Sequence, residues 1–208
     1  MRFWLLLSGV VAPAIYVALA MAGPLLWPGY DLSTRMISEL GMAEAPMDAV
    51  FNAGLMVAGS LAVIFSLGLF GELRRRGADG LTAGLAGLTV AVFGGSLVVG
   101  GVFPLPDERH LAWGAGFAVQ VAPLLTLLAL RYAAGLTGLK VFLGGVFVAV
   151  NALLAVMFGV GDLIGQDNLG LWQRAYGLAM FPWVGVTALA LMVRPSARAG
   201  ARSAFAVR

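Results

Sequence analysis

The chain reads as six long apolar stretches separated by short segments that hold every charged side chain. The stretches fall at residues 4–23, 49–71, 81–103, 112–130, 141–160 and 175–193, and no Asp, Glu, Lys, Arg or His interrupts them. Each reaches the roughly 20 residues a helix needs to cross the hydrocarbon of a bilayer. The pattern predicts an all-α fold: a polytopic membrane protein with a six-transmembrane-helix bundle. Residues 1–193 form its single domain, and 194–208 form a basic tail. The first run follows Met1 and Arg2 and contains Ala18-Leu19-Ala20, which resembles a cleavage site. It is longer than the usual core of about 7–15 residues in a signal peptide, so it reads as an uncleaved first helix.

Composition agrees with this pattern. Of the 208 residues, 61% are hydrophobic and 11% charged, against about 45–50% and 25% in a soluble domain. A mean hydropathy of +0.94 leaves too few polar side chains to coat a globule in water. The net charge of +3 is not gathered into a basic domain, so nucleic acid is not an expected partner. Cysteine is absent, which removes disulfide and thiolate chemistry.

Charge placement predicts orientation. Arg2, Arg74, Arg75, Arg76, Arg131, Lys140, Arg194, Arg198, Arg202 and Arg208 share one side of the predicted membrane. Only Arg35, Arg109 and Arg174 share the other. Basic residues are retained on the cytoplasmic side, so both termini are expected there, with the three longer connections outside.

Those outer connections carry most of the polar chemistry. The first, from Pro24 to Asp48, is expected to hold a short helix over Leu32 to Leu40, capped by Asp31 or Ser33. Asp48 and Asp107 stand where the second and fourth helices need N-caps. Ser38, Glu39, Asn52, Asp107, His110 and Arg174 come from distant segments, yet the predicted topology gathers them at one face. Glu39 or Asp107 with His110 has the makings of an acid–base pair, and the same groups with Arg174 suit a polar headgroup. Arg174 is also placed to clasp the loops together by pairing with Glu39 or Asp162. One histidine without cysteine makes a poor zinc site, so no metal and no cofactor are expected.

Within the spans, Gln120 and Asn151 are amides near mid-depth, expected to meet each other directly or through one water. The absence of intramembrane charge argues against ion-coupled transport. The third span carries Gly84, Gly87, Gly94, Gly95, Gly100 and Gly101, which suits a helix held close to its neighbours.

Several short motifs together resemble a bacterial and archaeal membrane family known as domain of unknown function 998. They are Ile37-Ser38-Glu39-Leu40-Gly41, Asn52-Ala53-Gly54-Leu55, and Gly101-Val102-Phe103-Pro104 followed by Asp107 and His110. The last is Gly170-Leu171-Trp172-Gln173-Arg174, where family members often carry Glu at the position of Gln173. The resemblance implies six spans and no assigned activity.

The leading expectation is a protein of the bacterial cytoplasmic membrane with an outward polar mouth roofed by the first loop. That mouth would bind an amphiphile or membrane lipid headgroup through Ser38, Glu39, Asn52, His110 and Arg174. One alternative is a hydrolase or transferase acting on a lipid through Glu39, Asp107 and His110. Another is a structural subunit, or a homo-oligomer, joined to its partner through glycine-rich helix faces.

Overall fold

Six helices long and apolar enough to cross a membrane are present in the computed structural model, which describes residues 1–193. The basic tail of the sequence reading lies outside the described residues. The elements are α1 (Arg2–Met21), a short α2 (Gly23–Leu26), α3 (Asp48–Arg75), α4 (Gly80–Val102) and α5 (Ala122–Ala129). They continue with α6 (Thr137–Met157), α7 (Leu169–Met180) and α8 (Trp183–Val193). Two 3-10 segments, Ile37–Gly41 and Glu108–Gln120, complete the regular structure. The fourth span joins the second 3-10 segment to α5, and the sixth joins α7 to α8.

Successive spans touch in sequence order. α1 packs on α3, α3 on α4, and α4 on the 108–120 segment and α5. α5 meets α6, α6 meets α7 and α8, and α8 returns to α1, which closes a ring. The tightest seam is α3 against α4, where small residues bring two backbones together. A Cβ on Gly94 would lie 2.6 Å from the Gly59 carbonyl oxygen, and one on Gly101 would lie 2.7 Å from that of Asn52. Gly84 and Gly95 of the same helix meet nothing within 4 Å, so its glycine content only partly reflects close packing.

Phe65, Phe93, Phe181 and Trp183 are buried in the ring. Tyr16, Phe181 and Phe93 run edge to face, with ring centroids 5.5 and 5.0 Å apart. The sixth span breaks beside Pro182, which has no N–H to continue the helix. The Trp183 indole N–H then donates to the Met180 carbonyl at 2.9 Å, satisfying one of the acceptors at the end of α7.

Three local features differ from the sequence reading. The fourth span does not begin as an α-helix at residue 112. Ala112, Trp113 and Gly114 take left-handed φ of 46°, 53° and 80°, and the α-helix starts only at Ala122, where Pro123 suits its first turn. In the first loop the helix is confined to Ile37–Gly41. The upstream carbonyls of Leu32, Ser33 and Arg35 are taken by α7, through Arg174 and the Leu171 N–H, so no local helix can use them. Finally, Met47 rather than Asp48 stands at the N-cap of α3, and the Asp48 side chain makes no capping bond.

The end of the bundle that holds the N-terminus has a feature the sequence reading did not single out. Glu72 is buried, 1% exposed, because α3 continues to Arg75. Its carboxylate accepts from Arg2 Nε at 2.8 Å and Arg75 Nη2 at 2.6 Å, and Arg76 Nη2 lies 3.4 Å away. Arg2 and Arg76 also donate to the Leu191 carbonyl, at 2.9 and 3.3 Å. Glu72 and its arginines together thus tie the start of α1 to the ends of α3 and α8.

Candidate functional site

At the opposite end, a partly open cavity of about 200 Å³ lies within the ring. Its roof is Ile37 and Ser38 of the first loop, and α3 and α4 supply apolar walls through Phe51, Leu55 and Leu97. The outer wall is the 108–120 segment, represented by His110, Leu111 and Phe117. α1 and α7 close the remaining sides with Tyr16, Gln173, Tyr176 and Met180.

His110 is the best-defined polar group there. Its Nδ1 lies 3.2 Å from the Gly100 carbonyl oxygen and 3.0 Å from that of Phe103. Both oxygens can only accept, so in the neutral ring Nδ1 carries the proton and Nε2 carries the lone pair. Nε2 has no protein partner among the described residues. Gly100 lets the 108–120 segment come close to α4: a hypothetical Cβ there would lie 3.3 Å from the His110 carbonyl oxygen and 3.6 Å from its Cε1. Asp107 accepts from the His110-side turn through the Arg109 N–H at 2.8 Å, starting the 3-10 segment.

The remaining predicted site residues divide by role. Ser38 lines the cavity, and its hydroxyl has no partner among the described residues. Asp107 is turned to Arg109, 2.7 Å from Nη2, and this guanidinium with the Arg109 N–H lowers its carboxyl to about 2. Glu39 accepts from the Met36 N–H at 2.8 Å and faces Arg35 at 3.7 Å, so it caps its own 3-10 turn. Neither carboxylate hydrogen-bonds His110 among the described residues. Asn52 donates to the Gly41 carbonyl at 2.9 Å, fastening the roof to α3.

Arg174 is buried at 4% exposure and does not line the cavity. Its Nη1 donates to the carbonyls of Leu32, Arg35 and Gly170 at 2.8, 2.7 and 3.0 Å. Its Nη2 donates to the Tyr30 hydroxyl at 2.7 Å, and that hydroxyl donates onward to the Met36 carbonyl at 2.6 Å. Burial raises the Tyr30 phenol above its ordinary value, against the opposing pull of Arg174. Arg174 is therefore a clasp between α7 and the first loop, but its partners are carbonyls and a phenol, and neither Glu39 nor Asp162 pairs with it.

Three cavity groups were not singled out from sequence as contacts: Tyr16, Tyr176 and Gln173. The Gln173 side-chain oxygen accepts from the Ile37 N–H at 2.5 Å, which leaves its NH₂ as a donor. The Tyr176 hydroxyl accepts from Gln120, leaving its own proton to donate. Asn151 reaches the Gln120 main-chain carbonyl at 3.4 Å and the Phe147 carbonyl at 2.8 Å, so the two amides meet through backbone and not side chain to side chain. A phenol hydroxyl inside an apolar span needs a partner, and that was the available signal for Tyr16 and Tyr176.

Among known proteins, a family model described as "Protein of unknown function (DUF998)" matches residues 10–191. No curated relative and no solved structure matches the chain.

Proposed function

The chain belongs to the DUF998 family of proteins of unknown function, and from that premise we propose that it is a membrane protein that binds an amphiphile in the cavity beneath its first loop. The observation that carries this reading is a single one. A cavity of about 200 Å³, walled mainly by apolar side chains, holds a few polar groups left with hydrogen-bonding capacity, led by His110 Nε2 and the Ser38 hydroxyl. That combination is the usual form of a small-molecule site. Glu39, Asn52 and Arg174 serve it from behind, by building and fastening the roof. The uneven distribution of Lys and Arg supports a reading in which this end faces outward and the termini face the cytoplasm, and the reading takes the membrane to be the cytoplasmic membrane of a bacterium.

The hydrolase reading has less support, since Glu39 and Asp107 are each engaged elsewhere and neither orients the His110 ring. Binding needs only the cavity and its polar contacts. The test is to fill the space. In Leu97→Phe the larger ring occupies part of the cavity, while Gly59 and Gly94 are unchanged and the residue-97 Cβ that faces Gly59 is kept. Native mass spectrometry of gently purified wild-type protein is expected to show a retained lipid that Leu97→Phe loses. Equal retention by both proteins would overturn the reading.

A further inference from the structure

Resting on that reading, we infer that the cavity selects uncharged lipids: it takes a polar end made of ester carbonyl and hydroxyl groups and excludes phosphate and carboxylate headgroups. Three observations lead there.

First, no Asp, Glu, Lys or Arg lines the cavity among the described residues. The charges nearby are already committed. Arg174 is held by three carbonyls and Tyr30, Arg109 by Asp107, and Arg35 faces Glu39 at 3.7 Å and Trp27 at 4.4 Å. An anionic headgroup would therefore leave water with no permanent counter-charge in the cavity lining, and a poorly paired charge in an apolar surrounding is costly.

Second, the polar groups that remain match neutral chemistry. Tyr16 is buried at 8% exposure, lines the cavity, and its hydroxyl has no hydrogen-bond partner among the described residues. With the Tyr176 hydroxyl and the Gln173 NH₂ it forms a set of donors suited to a carbonyl oxygen. His110 Nε2 is the complementary acceptor, suited to a hydroxyl. An acylglycerol presents both groups within a few bonds of each other.

Third, there is a way out for the hydrocarbon tail. Leu111 and Phe117 line the cavity yet are 66% and 41% exposed, so the partly open cavity reaches the surface beside them. The wall there is open to the surface at these two side chains. It belongs to a segment long and apolar enough, with α5, to lie in the hydrocarbon. A tail leaving beside these two residues enters lipid directly, while the polar end stays among Tyr16, Gln173 and His110.

The probes are 1-oleoylglycerol and its phosphate monoester, which share the acyl chain, ester and glycerol backbone and differ in charge. Each is titrated by native mass spectrometry onto the full-length protein in non-ionic detergent. The uncharged lipid is expected to bind at least about tenfold more tightly, and Leu97→Phe to abolish that binding. Tyr16→Phe, which removes one donor and little volume, is expected to weaken it by about threefold to tenfold. Tighter binding of the phosphate ester, still abolished by Leu97→Phe, would overturn the selectivity and leave the cavity reading intact. If neither probe binds in a way that Leu97→Phe disturbs, the cavity reading fails and this inference with it.

Discussion

Removing the Arg174 guanidinium should release the first loop from the bundle. Three of its four hydrogen-bond acceptors, the Leu32 and Arg35 carbonyls and the Tyr30 hydroxyl, belong to that loop. Bonds from a charged donor contribute about 1.5–3 kcal/mol each, so the gross loss of loop anchoring in Arg174→Ala, from these three, is roughly 5–9 kcal/mol. Two effects reduce it. The variant no longer buries a cation that has no carboxylate partner among the described residues, which recovers several kcal/mol of desolvation. The freed loop carbonyls can also turn to water. The net destabilisation is then about 2–4 kcal/mol, or roughly 5–15 °C in midpoint for a domain of this size. Arg174→Lys is expected to recover only part, because an ammonium cannot span acceptors as the guanidinium fork does. Thermal unfolding in detergent gives the size of the effect, and hydrogen exchange gives its place. Exchange should quicken across residues 31–41 and stay slow across the α3–α4 seam. A variant whose loop remains as protected as the wild type would refute the clasp, whatever its melting temperature.

Three other expectations follow from the geometry. Glu72→Gln leaves Arg2, Arg75 and Arg76 without their shared anion; since two of these arginines are partly exposed, the loss should be about 2–3 kcal/mol, read as a lowered unfolding midpoint. Asp107, held near 2 by Arg109, favours the folded form above the ordinary carboxylate value of 3.8, and that contribution fades as pH falls through about 2. Titration of the Arg109 amide shift should accordingly show its midpoint near 2, and Arg109→Ala should move it upward. For orientation, Ala43→Cys and Ala134→Cys sit at exposed positions in connections on opposite sides. In intact cells an impermeant thiol reagent should label the first and spare the second, and the reverse result would invert the topology.

The spans were legible because a membrane imposes a coarse rule, length without charge, that all six stretches obey. Where the rule fell silent the sequence misled or said little. Glu72 lies just past the apolar stretch that ends at residue 71 and so reads as part of a connection, yet α3 runs to Arg75 and brings the buried carboxylate among three arginines. The left-handed turn at Ala112, Trp113 and Gly114 interrupts a uniformly apolar stretch, and hydropathy does not register backbone conformation. Arg174 was expected to seek an acid because charge patterns are visible in sequence. Its actual partners are main-chain carbonyls, which every residue has and no pattern marks. Tyr16 and Tyr176 went unremarked as contacts because an aromatic ring in a span reads first as core. His110 and Ser38 were legible as polar residues at one end of the bundle, but only the fold separates these cavity-lining groups from Glu39, Asn52 and Arg174, which build around it.

The central claim is that a lipid occupies the cavity, and site-specific photocrosslinking in living cells tests it most directly. A photoreactive amino acid replaces Leu97, which lines the cavity, or Val148, which is 66% exposed on α6. The lipids captured at each position are then identified by mass spectrometry. The account predicts that position 97 captures one dominant uncharged species, while position 148 samples the bulk phospholipid mixture. The same bulk mixture at both positions, or no lipid at position 97, would contradict it.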